Sequence, residues 1–178
     1  LLRVASLDTL TTLPDRRRFA QALGQEWRRA MREASPISVV LVDLDAFAVY
    51  NERHGTSVGD QCLKRVSGLL SRRVRRAGDL VARWGDDTFA VLLPATHAEG
   101  AFCVAQALCA EVGAMEPPAQ AEGAGRMTAC AGVATAVPAR ASEAATVLEA
   151  AQAALAQAQQ EGPGRVKACV PVAAPLKI

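Results

Sequence analysis

The chain reads as one α/β domain in which helices and strands alternate, and three observations predict it. Phe19, Leu23, Trp27 and Ala30 recur at helical spacing and give an early amphipathic helix. Ile37–Leu44 is a largely apolar run rich in β-branched residues, as expected of a strand covered on both faces. Leu80–Arg83 and residues 89–93 are short apolar runs flanking Gly85-Asp86, a hairpin signal.

The elements follow in order. Residues 8–15 hold turn and cap formers ahead of a helix over 16 to about 33. After the strand at Ile37–Leu44, residues 51–58 read as a loop, and Leu63, Val66, Leu70 and Val74 mark one face of a helix over 60 to about 74. The hairpin comes next, then a helix over 101–112 and a Pro/Gly/Ala connection over 117–125. Residues 127–137 read as a strand. An alanine-rich helix spans 142 to about 160 with Ser142 as its N-cap, and 165–170 close the domain as a strand. No internal repeat is present, and no composition break divides the chain.

Composition narrows the class. At 178 residues, 51% apolar and 21% charged, the chain can bury a full core. A net charge of +2 provides no global field for nucleic acid or a membrane surface. The arginines cluster, at 16–18, 28, 29 and 32, and again with Lys64 and Arg65 at 72, 73, 75 and 76; helix solvation accounts for most of them. Cys62, Cys103, Cys109, Cys130 and Cys169 lack metal-ligand spacing and read as buried reduced thiols, which fits a cytoplasmic setting. No apolar run approaches the roughly 20 residues that span a bilayer. His54 and His97 have no partners suggesting catalysis and read as loop residues. Trp27 and Trp84 read as core or edge packing, with the alternative that Trp84 flanks a bound base.

Five segments carry a family resemblance: Asp8-x-Leu10-Thr11-x-Leu13-Pro14-Asp15-Arg16-Arg17, Asp43-Leu44-Asp45-x-Phe47, Asn51 with Gly59-Asp60, Arg83-Trp84-Gly85-Asp86-Asp87-Thr88-Phe89, and residues 127–133. One alone is weak; five in the right order and spacing are strong. Together they resemble the GGDEF (diguanylate cyclase) domain family over residues 8 to about 166. The resemblance implies a central, mostly antiparallel five-stranded sheet flanked by helices, similar to the nucleotidyl cyclase fold. It implies a domain over 8–170, with 1–7 as a linker helix from an upstream domain and 171–178 as a tail. It also implies a homodimer and neighbouring signalling domains.

In that family two Mg²⁺ ions and a pair of GTP-binding domains perform phosphoryl transfer. The resemblance implies Asp43, the Leu44 carbonyl and Asp87 as metal ligands, with Asp87 the remnant of the catalytic signature. Asn51, Asp60 and Phe47 fall at the guanine-binding positions, and an amide beside a carboxylate suits the guanine edge.

Several chemical parts differ. The family Lys after the metal strand is Ala48, the second Gly of the signature is Asp86, and its Glu is Thr88. The late helix carries Gln159 and Pro163 where the family places a Lys and an Arg on the triphosphate. Phosphate-clamping cations are worth a kcal/mol or more each, so losing three while gaining a carboxylate points to little or no turnover. Arg76-Ala77-Gly78-Asp79 stands where family members carry an Arg-x-x-Asp site for cyclic di-GMP, although the remote Arg that completes it is Ala107 here. The expectation is a degenerate signalling domain that binds cyclic di-GMP through Arg76 and Asp79. The alternatives are a weak diguanylate cyclase, a domain that keeps GTP as a ligand, and a nucleotide-free dimerisation module.

Overall fold

The computed structural model describes residues 6–121 and 123–169. A five-stranded sheet in the order β2-β3-β1-β4-β5 forms its centre. The strands are β1 (Ile37–Leu44), β2 (Leu80–Arg83), β3 (Thr88–Pro94), β4 (Ala129–Ala136) and β5 (Val166–Cys169). All neighbouring pairs are antiparallel except β4 with β5, so the sheet matches the mostly antiparallel one expected. The helices are α1 (Arg16–Glu33), α2 (Phe47–His54), α3 (Thr56–Arg73), α4 (Ala98–Ala114) and α5 (Ala144–Gln160).

Strand β1 shows why its sequence is apolar almost throughout. Successive side chains of a strand point to opposite faces. Val40, Val42 and Leu44 join one core cluster with Leu63, Val66, Leu70 and Leu108 of α3 and α4. Ile37, Val39 and Leu41 join the other with Phe19, Leu23 and Trp27 of α1 and with Val147, Ala151 and Leu155 of α5. Helices cover both faces, so neither set could be polar. Gly132 in β4 allows α5 to lie close: a Cβ there would stand 2.2 Å from the Ala151 carbonyl oxygen and the Leu155 nitrogen.

Helix α1 has the expected bounds, and Asp15 caps it by accepting from the Arg18 N–H at 2.9 Å. Elsewhere the structure corrects the sequence reading. Residues 51–58 are not a loop: α2 and α3 occupy them, broken only at Gly55, whose φ of 86° suits glycine. His54 therefore ends a helix, with its ring 4.8 Å from that of Tyr50. Ser142 does not cap α5, because its hydroxyl donates to the Ala139 carbonyl and the cap position is Glu143. Cys62, Cys109 and Cys130 are buried as expected, but Cys103 is exposed and Cys169 half-buried; none of the five is in a disulfide. Leu7 forms a β-bridge with Pro14 rather than ending a helix. The rest of the anticipated linker helix, residues 1–5, lies outside the described residues, as do Val170 and the anticipated tail at 171–178. No described helix is long and apolar enough to cross a membrane.

Candidate functional site

The predicted metal positions, Asp43, Leu44 and Asp87, come together where β1 ends beside the β2–β3 turn. Strand pairing sets Asp43 opposite Thr88, and the Leu44 N–H donates to the Asp87 carbonyl at 3.1 Å. The metal-strand carboxylate and the hairpin tip thus share one edge of the sheet. Leu44 buries its side chain, so only its backbone is available to a ligand.

Asp43 is the hub. Its Oδ2 accepts a 2.6 Å hydrogen bond from the Thr88 hydroxyl, and its Oδ1 accepts one of 3.0 Å from the Gln159 amide at the end of α5. Burial pushes its carboxyl above the ordinary carboxylate range, the Thr88 bond opposes this, and the charges of Asp87 and Asp45 push it further up. Asp87 is raised too, by burial first and also by its neighbour Asp86. Asp45 turns aside, its Oδ2 accepting from the Thr128 hydroxyl at 2.7 Å and the Gly164 N–H at 2.8 Å.

This donor set fits a two-ion site poorly. Hard divalent cations need several free oxygen ligands with net negative charge. Here two neutral donors fix the Asp43 carboxylate, and the side chain at 88 supplies a hydroxyl in place of a second carboxylate. Among the described residues no group of three or more His, Cys, Asp or Glu side chains is arranged to hold a metal.

The guanine-reading positions lie on α2 and α3. Asn51 rests on Gly59, the residue before Asp60, so closely that a Cβ on Gly59 would stand 1.7 Å from Asn51 Oδ1. That oxygen is buried and has no hydrogen-bond partner, an orphaned acceptor beside Asp60. Phe47 is 6% exposed and stacks on Tyr50 with ring centroids 6.3 Å apart, so its side chain belongs to the core cluster beneath these positions.

Arg76 and Asp79 lie apart from this pocket, in the turn between α3 and β2. The Asp79 N–H donates to the Arg76 carbonyl at 3.0 Å, and Gly78 takes a φ of 91° that closes the turn. Burial raises the Asp79 carboxyl, and the Arg76 guanidinium opposes the shift. Ala107 is half-buried on α4, one helical turn before Glu111, which pairs with Arg73 at 2.6 Å.

Sequence reasoning missed three features. Thr88 and Gln159 counted only as losses, yet they hold Asp43; the Asp43–Thr88 register was the available signal for the first. Arg83 was quoted only as part of its motif. It pairs with Asp8 at 3.1 Å and donates to the Gly85 and Asp86 carbonyls, joining the turn before α1 to the hairpin. Trp84 packs as core and edge, as read from the sequence: it stands edge-on against Phe19 with centroids 5.5 Å apart, and Arg16 lies 4.2 Å above its ring.

Comparison with known proteins agrees with this architecture. The family model for the diguanylate cyclase GGDEF domain matches residues 5–165, and the chain belongs to that family. It is 40% identical over 95 residues, 53% of this chain, to the diguanylate cyclase DgcP of Pseudomonas aeruginosa. It is 34% identical over 105 residues, 59% of this chain, to the response regulator PleD of Caulobacter vibrioides. These matches span 14% and 23% of the relatives' own lengths. The fold superposes with a TM-score of 0.86 on the GGDEF domain of DgcB from Caulobacter crescentus, solved in complex with c-di-GMP, covering 94% of this chain and 95% of that one at 26% identity.

Proposed function

We propose that this GGDEF domain serves cyclic di-GMP signalling as a receiver of the dinucleotide and does not synthesise it. In this reading Arg76 and Asp79 bind cyclic di-GMP, and the bound state is relayed to neighbouring domains or to a second copy in a cytoplasmic homodimer. The observation that carries the reading is the contrast between two places. The turn at 76–79 presents a guanidinium and a carboxylate that answer the guanine O6/N7 edge and its N–H groups. The hairpin pocket offers no Lys or Arg at 48, 159 or 163, while Asp86 adds negative charge toward an incoming triphosphate.

Isothermal titration of the purified domain with cyclic di-GMP tests this. Heat with micromolar affinity is expected, weakened at least tenfold in Arg76→Ala and in Asp79→Ala. Absence of heat, or affinity unchanged in both variants, would refute the reading. Asn51 and Asp60, an amide and a carboxylate retained at the family's guanine positions, favour a second, weaker ligand, GTP. A thermal-shift experiment detects it, because a ligand selective for the native state raises the melting point.

A further inference from the structure

The two replacements that remove charge from the hairpin pocket also occupy its key carboxylate. Thr88 is the strand partner of Asp43, so the β1–β3 register sets its 2.6 Å hydrogen bond. Gln159 reaches the other oxygen from the last turn of α5, a helix seated directly on β4 at Gly132. The nearby Asp45 is fastened to Thr128 and Gly164. Asp43 therefore accepts from two neutral donors, each held by a different regular element.

We propose that Thr88 and Gln159 form a clamp that withholds Asp43 from divalent cations, so that any guanine ligand entering this pocket is held without metal. Each Asp43 oxygen keeps a second lone pair, but the two bonds fix the carboxylate in one orientation, and a hard cation has to find its ligand in that pose. Neither donor brings the negative charge that would offset that constraint: a threonine hydroxyl stands where a carboxylate would, and the glutamine amide is neutral. The carboxylates left over, Asp86 and Asp87 on the hairpin tip, do not form a cage with a third acid among the described residues. The clamp takes over a structural role as well, joining β1, the hairpin and the end of α5 through one side chain. This inference concerns the hairpin pocket alone and stands apart from binding at Arg76 and Asp79.

Electron paramagnetic resonance of free Mn²⁺ titrated into the domain tests the clamp directly. The wild-type domain should leave the Mn²⁺ signal undiminished at stoichiometric protein. Thr88→Glu combined with Gln159→Ala should sequester Mn²⁺ at least roughly tenfold more tightly, and adding Asp43→Asn should abolish the gain. Gln159→Ala alone, at an exposed position that leaves folding intact, should give a smaller gain of the same sign. Sequestration by the wild type that disappears in Asp43→Asn would overturn the proposal. So would a folded double variant, or the single variant if the double does not fold, that takes up no more Mn²⁺ than the wild type. Titration of cyclic di-GMP into the same samples keeps this result separate, because that affinity should be the same in all of them.

Discussion

At the residue scale, Asp43 sits against its own charge. Burial and the neighbouring Asp87 and Asp45 raise its folded-state pKa above the ordinary 3.8, even with the Thr88 bond opposing them. A group with a raised folded-state value binds its proton more tightly when folded. The ionised form therefore costs stability at neutral pH, and that cost fades as pH falls through the raised value. Asp43→Asn should accordingly raise the melting temperature by a few degrees at neutral pH, with the gain shrinking toward mildly acidic pH; calorimetry across that range measures it. Residues inherited from a functional site commonly trade stability in this way. Gly59 answers a different constraint. With a Cβ at 59 standing 1.7 Å from Asn51 Oδ1, Gly59→Ala must displace the Asn51 amide or shift α2 from α3. The expected cost is about 1–3 kcal/mol in urea denaturation, together with loss of any stabilisation by GTP. The Asp43–Gln159 contact was not legible in the sequence, since the two residues lie 116 positions apart. What could be read was the chemistry of the substitutions, not the side chain they converge on.

At the scale of elements, legibility followed periodicity. Helix α1 and strand β1 declare themselves because each carries an apolar pattern matched to its geometry, and their bounds agree with the structure. Helix α2 was hidden for a physical reason: its eight residues bury only Phe47, and no side chain caps its start at Ala46. With no apolar stripe to see, the Gly55 that divides it from α3 looked like the middle of a loop. The link from Asp8 to the hairpin was equally invisible, yet it ties α1's lead-in turn to the candidate site. Burial alone would raise the Asp8 carboxyl, but bonds from the Thr11 hydroxyl and amide and the Arg83 charge outweigh it and hold it below 3.8. Its contribution is thus present above that value and lost as pH falls through the lowered one. Asp8→Ala should cost about 1–3 kcal/mol and loosen the hairpin, seen as faster amide exchange at residues 83–88. The contact between α5 and the sheet predicts a further effect. Gly132→Ala drives a methyl into the α5 backbone and should destabilise the fold by about 3 kcal/mol, measured by chemical denaturation, with α5 amides losing protection first.

At the scale of the molecule, the domain keeps the frame of a nucleotide-condensing family while its charges are redistributed. The mostly antiparallel five-stranded sheet and the hairpin beside β1 are those expected of the family, and the order of the motifs along the chain was enough to anticipate them. Phosphoryl transfer, however, depends on cations and metals placed around the transferring group. Positions 48, 159 and 163 carry no cation, and Asp43 is held by neutral donors. The turn before α1 is joined to the hairpin through Asp8–Arg83, and α1 itself through Arg16 and Phe19 on Trp84. The most direct measurement is to incubate the purified domain with GTP and Mg²⁺ and quantify cyclic di-GMP by chromatography. Product no greater than that from Asp87→Ala is the expected result. Sustained conversion by the wild type that vanishes in Asp87→Ala would contradict it.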